Sequence, residues 1–317
     1  ESDFILLIGS NPRYEATILN ARIRKAYLQN KTNIISLNDV GDLTYPYKSL
    51  DGNTKNIKKI VENDHEISRL IKEAKKPIVI FGQSALSSKS SKYIFESMKS
   101  FLLNNDKITE HWNALNVISE NASTVGSYDL GIYQFSNGSY NTLAGLQNNN
   151  YELVFLLGQD SLKFKKNNEF IIYIGSHGDQ GAEIADIILP GAAYTEQNGY
   201  YTNLEGKLQK AYKSSYPPNE AKEDWEIIND IAESINHRKL FNDKEELESS
   251  LLNYLNLFKK ENMSKKHSSN HNIDFIEEKI QINDIDYYYS NVIARASKTM
   301  FHCRNEKTKE NNNTIKN

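Results

Sequence analysis

Cysteine is almost missing from this sequence: Cys303 is the only one in 317 residues. An intramolecular disulfide is therefore impossible, and neither a four-cysteine zinc site nor a cysteine-ligated iron–sulfur cluster can be built from this chain alone. Long apolar runs are missing too. None approaches the roughly 18 to 20 residues that span a bilayer, so a soluble or membrane-peripheral chain is expected. Charge of one sign is not in excess, since 38 basic side chains face 41 acidic ones for a net charge of −3. Nucleic-acid phosphates need a concentrated basic surface, and this balance gives no support for one. Nothing at the start has the pattern of a signal or transit peptide. Even a Met is missing there, and the first residues lead straight into an apolar strand pattern, as expected of a fragment, a processed product or one half of a split protein.

What is present is enough apolar material, 38% of residues, for one or two packed domains. Short runs rich in Ile, Val, Leu and Phe recur at Phe4 to Ile8, Asn33 to Leu37, Pro77 to Phe81, Leu153 to Leu157, Phe170 to Ile174 and Ile184 to Leu189. Such near-continuous runs predict parallel strands covered on both faces. Helical periodicity predicts helices over Glu15 to Leu28, Ile57 to Ala74, Ser90 to Leu103 and Trp112 to Ala122. The alternation predicts an α/β fold, doubly wound around a mostly parallel sheet, with a helical C-terminal extension. After about Ile235 the character changes. Residues 242–262 are charged with helical period, 262–272 read as an exposed polar linker, 272–300 regain apolar residues, and the end is polar with the composition of a disordered tail.

Two stretches could carry chemistry. The first is "FILLIGSNPRYEATILNARIRKAYL", residues 4–28, where a strand ends in Gly9, Ser10, Asn11 and Pro12 before a helix. Free N–H groups and the helix dipole there would favour a phosphate. The spacing is not the Gly-x-Gly-x-x-Gly fingerprint, however. Arg13, Arg22, Arg24 and Lys25 lie near the same helix, and either pair with acidic neighbours or hold a phosphate. Asn38 and Asp39 follow the second strand, where a nucleotide enzyme such as a transferase would keep an acidic residue for a ribose. "KKPIVIFGQSAL" (75–86) and "YELVFLLGQDSL" (151–162) repeat the grammar of strand, glycine and helix start, giving three strand ends at Gly9, Gly82 and Gly158.

The second stretch is "IGSHGDQGAEIADIILPGAAYTEQNGYYTNLEGKLQKA", residues 174–211. His177 and Asp179 between glycines have the look of a catalytic loop, and Glu183 with Asp186 offers two carboxylates. Neither pair has a third ligand or a partnered nucleophile at a recognisable spacing, so capping and turn-making compete with catalysis as their use. His302 and Cys303 are the one adjacent pair of soft ligands, with no second pair to complete a metal site.

The order of "ADIILPGAAYTE" (185–196) and "GYYTNLEGKLQ" (199–209) resembles the molybdopterin-oxidoreductase superfamily and, more narrowly, the large iron–sulfur subunit of respiratory complex I, NADH:ubiquinone oxidoreductase. "LLIGSNPRYEATILNARIRK" (6–25), "DLTYPY" (42–47), "EAKKPIVIFGQSAL" (73–86), "KEDWEIINDIAE" (222–233) and "DYYYSNVIARASKTMFHC" (286–303) fall in the same family order. The resemblance implies that residues 1–240 are a molybdopterin-oxidoreductase-like α/β domain, incomplete at its N-terminal side. A charged helix and linker (241–272), a C-terminal docking segment (273–303) and a polar tail (304–317) would follow. It also implies a scaffold role in mitochondrial complex I, peripheral on the matrix side of the inner membrane, with no catalytic, cofactor-binding or metal-ligating residue in this chain. Gly9, Asn11 and Gly158 would then be inherited turn geometry, and His177 and Asp179 would line a vacant or repurposed cleft. Iron–sulfur clusters and FMN are expected in partner chains, above all in one carrying the iron–sulfur N-terminal half, with neighbouring hydrophilic-arm subunits beside it. The competing expectation is a catalytically active molybdopterin-dependent oxidoreductase fragment.

Overall fold

The computed structural model describes residues 1–132, 142–162, 164–264 and 273–314. They divide into two compact units, Glu1–Thr124 with Lys266–Ile285, and Val125–Lys265 with Asp286–Asn317.

The first unit runs β1 (Phe4–Ile8), α1 (Pro12–Glu15), α2 (Thr17–Asn30), β2 (Asn33–Ser36), β3 (Lys48–Ser49), α3 (Thr54–Val61), α4 (Glu66–Glu73), β4 (Pro77–Phe81), α5 (Gln83–Leu86), α6 (Ser91–Asn104) and β5 (Leu115–Val117). The strands form one parallel sheet in the order β3-β2-β1-β4-β5. Because successive side chains point to opposite faces, β1 feeds two cores at once. Phe4, Leu6 and Ile8 pack beneath α3, α4 and α6 with Ile57, Ile60, Ile67, Ile71 and Met98. Ile5 and Leu7 pack on the other side with Ile23, Leu43 and Tyr45. Each of these five β1 residues is at most 2% exposed, a burial that contributes about 1.5–3 kcal/mol per large aliphatic side chain. The strand order reverses at β1, with β2 on one side and β4 on the other. In open α/β sheets that switch point is where ligands usually lie, at the carboxyl ends of the strands.

The second unit runs α7 (Thr124–Asp129), α8 (Thr142–Gln147), β6 (Leu153–Leu157), β7 (Phe170–Gly175), α9 (Gln180–Ile184), β8 (Ile187–Pro190), β9 (Gly199–Thr202), β10 (Leu208–Ala211), α10 (Asp224–Asn236) and α11 (Lys244–Ser264). After a 3₁₀ turn at Tyr287–Tyr289 it ends in α12 (Val292–Ala296) and α13 (Lys298–Thr314). Here β6, β7 and β8 form a three-stranded parallel sheet in that order, and β9 and β10 form an antiparallel hairpin. The hairpin turn is held by the Asn203 carboxamide, which accepts from the Glu205 and Lys207 N–H groups at 3.0 and 2.9 Å.

The α/β class and the parallel sheet agree with the sequence, while several elements differ locally. The expected helix over Trp112 to Ala122 is instead the edge strand β5, paired with β4 from Val79–Leu115 to Phe81–Val117. Asn113 accepts from the Leu115 N–H at 3.0 Å, a local turn that competes with helix formation. The helix expected over Ile57 to Ala74 is two, α3 and α4. Asn63 stands at φ +65° between them and the His65 ring accepts from Ile67 N–H to start the second. The strand expected from Ile184 begins only at Ile187, because Asp179 caps α9 across 180–184 first. The tail expected from residue 304, polar enough to predict a disordered end, is helical as far as Thr314, where it continues α13. The linker expected over 262–272 lies, from residue 265 on, outside the described residues.

Candidate functional site

The switch-point rim of the first unit is set by two glycine turns. Gly9 follows β1 at φ +58°, a left-handed conformation that glycine adopts without steric cost. A Cβ placed on Gly9 would come within 2.6 Å of Ala85 N, and one on Gly82 within 2.7 Å of Ser10 Cα. The two turns therefore lie against each other, and their glycines serve close backbone packing.

Two of the donors beyond Gly9 are already taken. The Glu15 carboxylate accepts from the Asn11 N–H and from the Ser10 hydroxyl, both at 2.9 Å. Pro12 has no N–H to offer. An anion could reach these donors only by displacing Glu15. Burial pushes the Glu15 carboxyl above its ordinary value, against the lowering effect of those two hydrogen bonds and with a small further rise from Glu120. Asn11 is buried; its Nδ2 donates to the Val40 carbonyl at 3.1 Å, while its Oδ1 has no partner.

The basic residues near α2 do not converge on this rim. Arg13 pairs with Asp42 at 2.7 Å, which resolves it as a partner of an acidic neighbour. Arg22 and Lys25 line a small groove with Glu1, before the amino end of β1, and Arg24 is exposed. Asp39 accepts from the Gly41 N–H and the Tyr47 hydroxyl, and those bonds hold its carboxyl below its usual value. Asp39 thus closes a local turn.

A segment from far along the chain crosses the same edge. Residues 276–283 pass over the first turns of three helices, each of which presents free N–H groups. The Thr54 N–H at the start of α3 donates to the Glu278 carbonyl at 2.9 Å, and the Ser90 N–H before α6 donates to the Glu278 carboxylate at 2.8 Å. The Asn283 N–H donates to the Ser84 hydroxyl in α5 at 2.9 Å. Ile280 is buried in the core, and its carbonyl accepts from the Asn38 side chain at 2.8 Å.

The rim of the three-stranded sheet is built differently. Gly158 follows β6 at φ +57°, and a Cβ built there would meet nothing within 4 Å. The floor is polar and paired. Asp160, 5% exposed, accepts from the Tyr173 hydroxyl at 2.9 Å and faces the Arg295 guanidinium at 3.3 Å. Arg295 also donates to Asp179 at 2.7 Å, while the other oxygen of Asp179 caps the Gln180 N–H at 3.0 Å. Burial, with Asp160 beside it, raises the Tyr173 hydroxyl pKa. His177 is exposed, with Nδ1 2.9 Å from the Ser176 hydroxyl.

The remaining sequence candidates stay apart. Glu183 is exposed on α9, whereas Asp186 accepts from the Ile171 N–H at 2.8 Å and pairs with Lys166 at 2.6 Å. Lys166 and that N–H hold the Asp186 carboxyl low, so it ties β7 to β8. His302 and Cys303 are exposed on α13. Among the described residues, no group of three or more His, Cys, Asp or Glu side chains is placed to hold a metal ion, and no helix is long and apolar enough to cross a membrane. Sequence reasoning missed the groups that organise both rims: Glu15, Glu278, Asp160 and Arg295. Only Glu15 had a local signal, four residues after Asn11.

Over 315 residues the chain is 34% identical to the NADH-ubiquinone oxidoreductase 75 kDa subunit of Reclinomonas americana, covering 96% of this chain and 45% of that protein. It is 32% identical over 320 residues to the mitochondrial NADH-ubiquinone oxidoreductase 78 kDa subunit of Candida albicans, covering 96% and 43%. With an NADH-quinone oxidoreductase subunit of Rickettsia bellii it shares 33% over 309 residues, covering 96% and 44%. The chain thus spans less than half the length of each of these relatives. Residues 1–234, which hold both parallel sheets, the β9–β10 hairpin and all three strand-end glycines, match the molybdopterin oxidoreductase model, and the chain belongs to that family.

Proposed function

We propose that this chain is the carboxyl-terminal part of the large iron–sulfur subunit of respiratory complex I, and that it supports electron transfer without holding a cofactor itself. A relay of redox centres works only if its carriers are held at fixed separations, and a folded domain without carriers serves by buttressing the polypeptide that has them. The NADH-oxidising flavin, FMN, and the iron–sulfur clusters belong on partner chains in this reading. The assembly sits on the matrix side of the mitochondrial inner membrane, with this chain in its peripheral arm.

The observation that carries the reading is the state of the switch-point rim. The family name implies a pterin dinucleotide, whose phosphates would need free donors at such strand ends. In this chain Glu15 holds the Ser10 hydroxyl and the Asn11 N–H beyond β1, and Glu278 holds the Thr54 N–H at the start of α3 and the Ser90 N–H before α6. These residues do not fit a dinucleotide phosphate, because carboxylates already take the Ser10, Asn11 and Ser90 donors it would need. The similarity to three NADH–quinone oxidoreductase subunits over 96% of the chain supports the same assignment. An active molybdopterin-dependent oxidoreductase would need these carboxylates to give way.

Depleting the chain in its source organism tests the proposal. The expected outcome is loss of assembled complex I, while the clusters of whatever subcomplex remains keep their spectra and potentials. Normal assembly without the chain would contradict it.

A further inference from the structure

Among the described residues, one face of the three-stranded sheet is apolar and open over most of its length, closing only at Ile174, which is 1% exposed. Leu153, Phe155 and Leu157 on β6, Phe170 and Ile172 on β7 and Ile187 on β8 share it, by the register that pairs Leu153 with Phe170, Phe155 with Ile172 and Ile172 with Ile187. Five of the six are 42 to 54% exposed. The opposite face is packed over β6 and β7, where Leu156, Ile171 and Tyr173 lie against Leu162, Phe164, Ala182 and Ile184, and is open at Ile188 on β8. A sheet face meant for water alternates with polar side chains, and this one has none at those six positions.

Topology explains why the chain leaves the face bare. Right-handed crossovers between parallel strands in sequential order all fall on one side of a sheet. The order β6-β7-β8 is sequential, so its connections cover one face only. In the first unit the order reverses at β1, and both faces are covered. Cover for the second face must come from a segment outside this strand run. Parallel sheets take helices as cover. More than half the length of each relative, moreover, lies outside the part this chain matches.

We propose that the face formed by Leu153, Phe155, Leu157, Phe170, Ile172 and Ile187 is the docking surface for amphipathic helices of the polypeptide that carries the other, cluster-bearing part of the subunit. This rests on the function proposed above and names the partner and where it binds. The occupant presents Leu-, Ile- and Phe-rich helix stripes to the sheet and keeps its charged faces outward.

The test uses intact complex I containing the full chain, with a photo-activatable residue at position 155 or at 187 and mass spectrometry of the cross-linked peptides. Cross-links to a helical stretch of the polypeptide bearing the cluster cysteines are expected. Cross-links to a second copy of this chain, or to any other subunit, overturn the inference and leave the function intact. Failure to find the chain in complex I overturns both. In parallel, Phe155→Lys buries a charge in the proposed interface and should lower recovery of the cluster-bearing polypeptide with this chain at least about tenfold. The residue is half exposed, so the melting curve of the full chain should stay in place. Undiminished recovery with an unchanged melt overturns the inference.

Discussion

The two sheet rims solve the same structural problem by different means. At the first, backbone lies against backbone: the Gly9 and Gly82 turns touch, Glu15 folds back onto its own loop, and residues 276–283 cross three helix starts. At the second, the glycine turn is open, and side-chain charge does the closing, with Arg295 between Asp160 and Asp179. A rim closed by main chain is rigid and intolerant of added volume. A rim closed by an ion pair loses its closure when one side chain is removed, with less disturbance of the strands beneath.

Volume at the paired glycines should separate the two most sharply. Gly82→Val drives atoms into the Gly9 turn, where backbone cannot move aside, and should destabilise the first unit by about 3 kcal/mol or more in denaturant titration. Gly158→Ala meets no neighbour and suffers only from its left-handed backbone, about 1 kcal/mol. Equal losses would erase the distinction. Next in size is Ile280→Ala, which empties a core position and loosens the crossing segment. A loss of about 2–4 kcal/mol is expected, with faster amide exchange at the starts of α3 and α6. Arg295→Ala should cost about 2 kcal/mol, since it leaves the buried Asp160 with the Tyr173 hydroxyl as its remaining neutral partner. The same change made on an Asp160→Asn background should cost less, and the shortfall measures the pair.

The smallest effect is expected at Glu15. Its carboxyl is raised in the folded state, so between the ordinary value of 4.5 and the raised one the folded protein holds more proton than the unfolded chain. Stability therefore falls as pH rises through that window. Glu15→Gln keeps an acceptor for the Asn11 N–H and should flatten that part of the stability curve, with a change of about 1 kcal/mol or less at neutral pH. A slope that survives the substitution would mean another group carries it.

Much of the fold was legible because parallel strands write themselves as unbroken aliphatic runs. Five of the six expected strands stand within a residue of their places, from Phe4–Ile8 to Phe170–Gly175. Where Asn or Asp intervened, periodicity misled: Asn113 turned an apparent helix into β5, and Asp179 inserted α9 before β8. The rims were legible only as glycines. Glu15 lies close enough to Asn11 for a capping reading. Glu278 and Arg295 reach their partners across 188 and 116 residues, and no spacing rule connects such positions. His177 and Asp179 drew attention through their composition, yet the geometry gives Asp179 an N-cap and an ion pair and leaves His177 at the surface.

The measurement closest to the central claim is elemental and pterin analysis of purified complex I in which this chain is present in stoichiometric amount. The account predicts iron and flavin in the assembly, with molybdenum, tungsten and pterin absent relative to this chain. One pterin with its metal per chain would contradict it, and would require Glu15 and Glu278 to leave the donors they hold here.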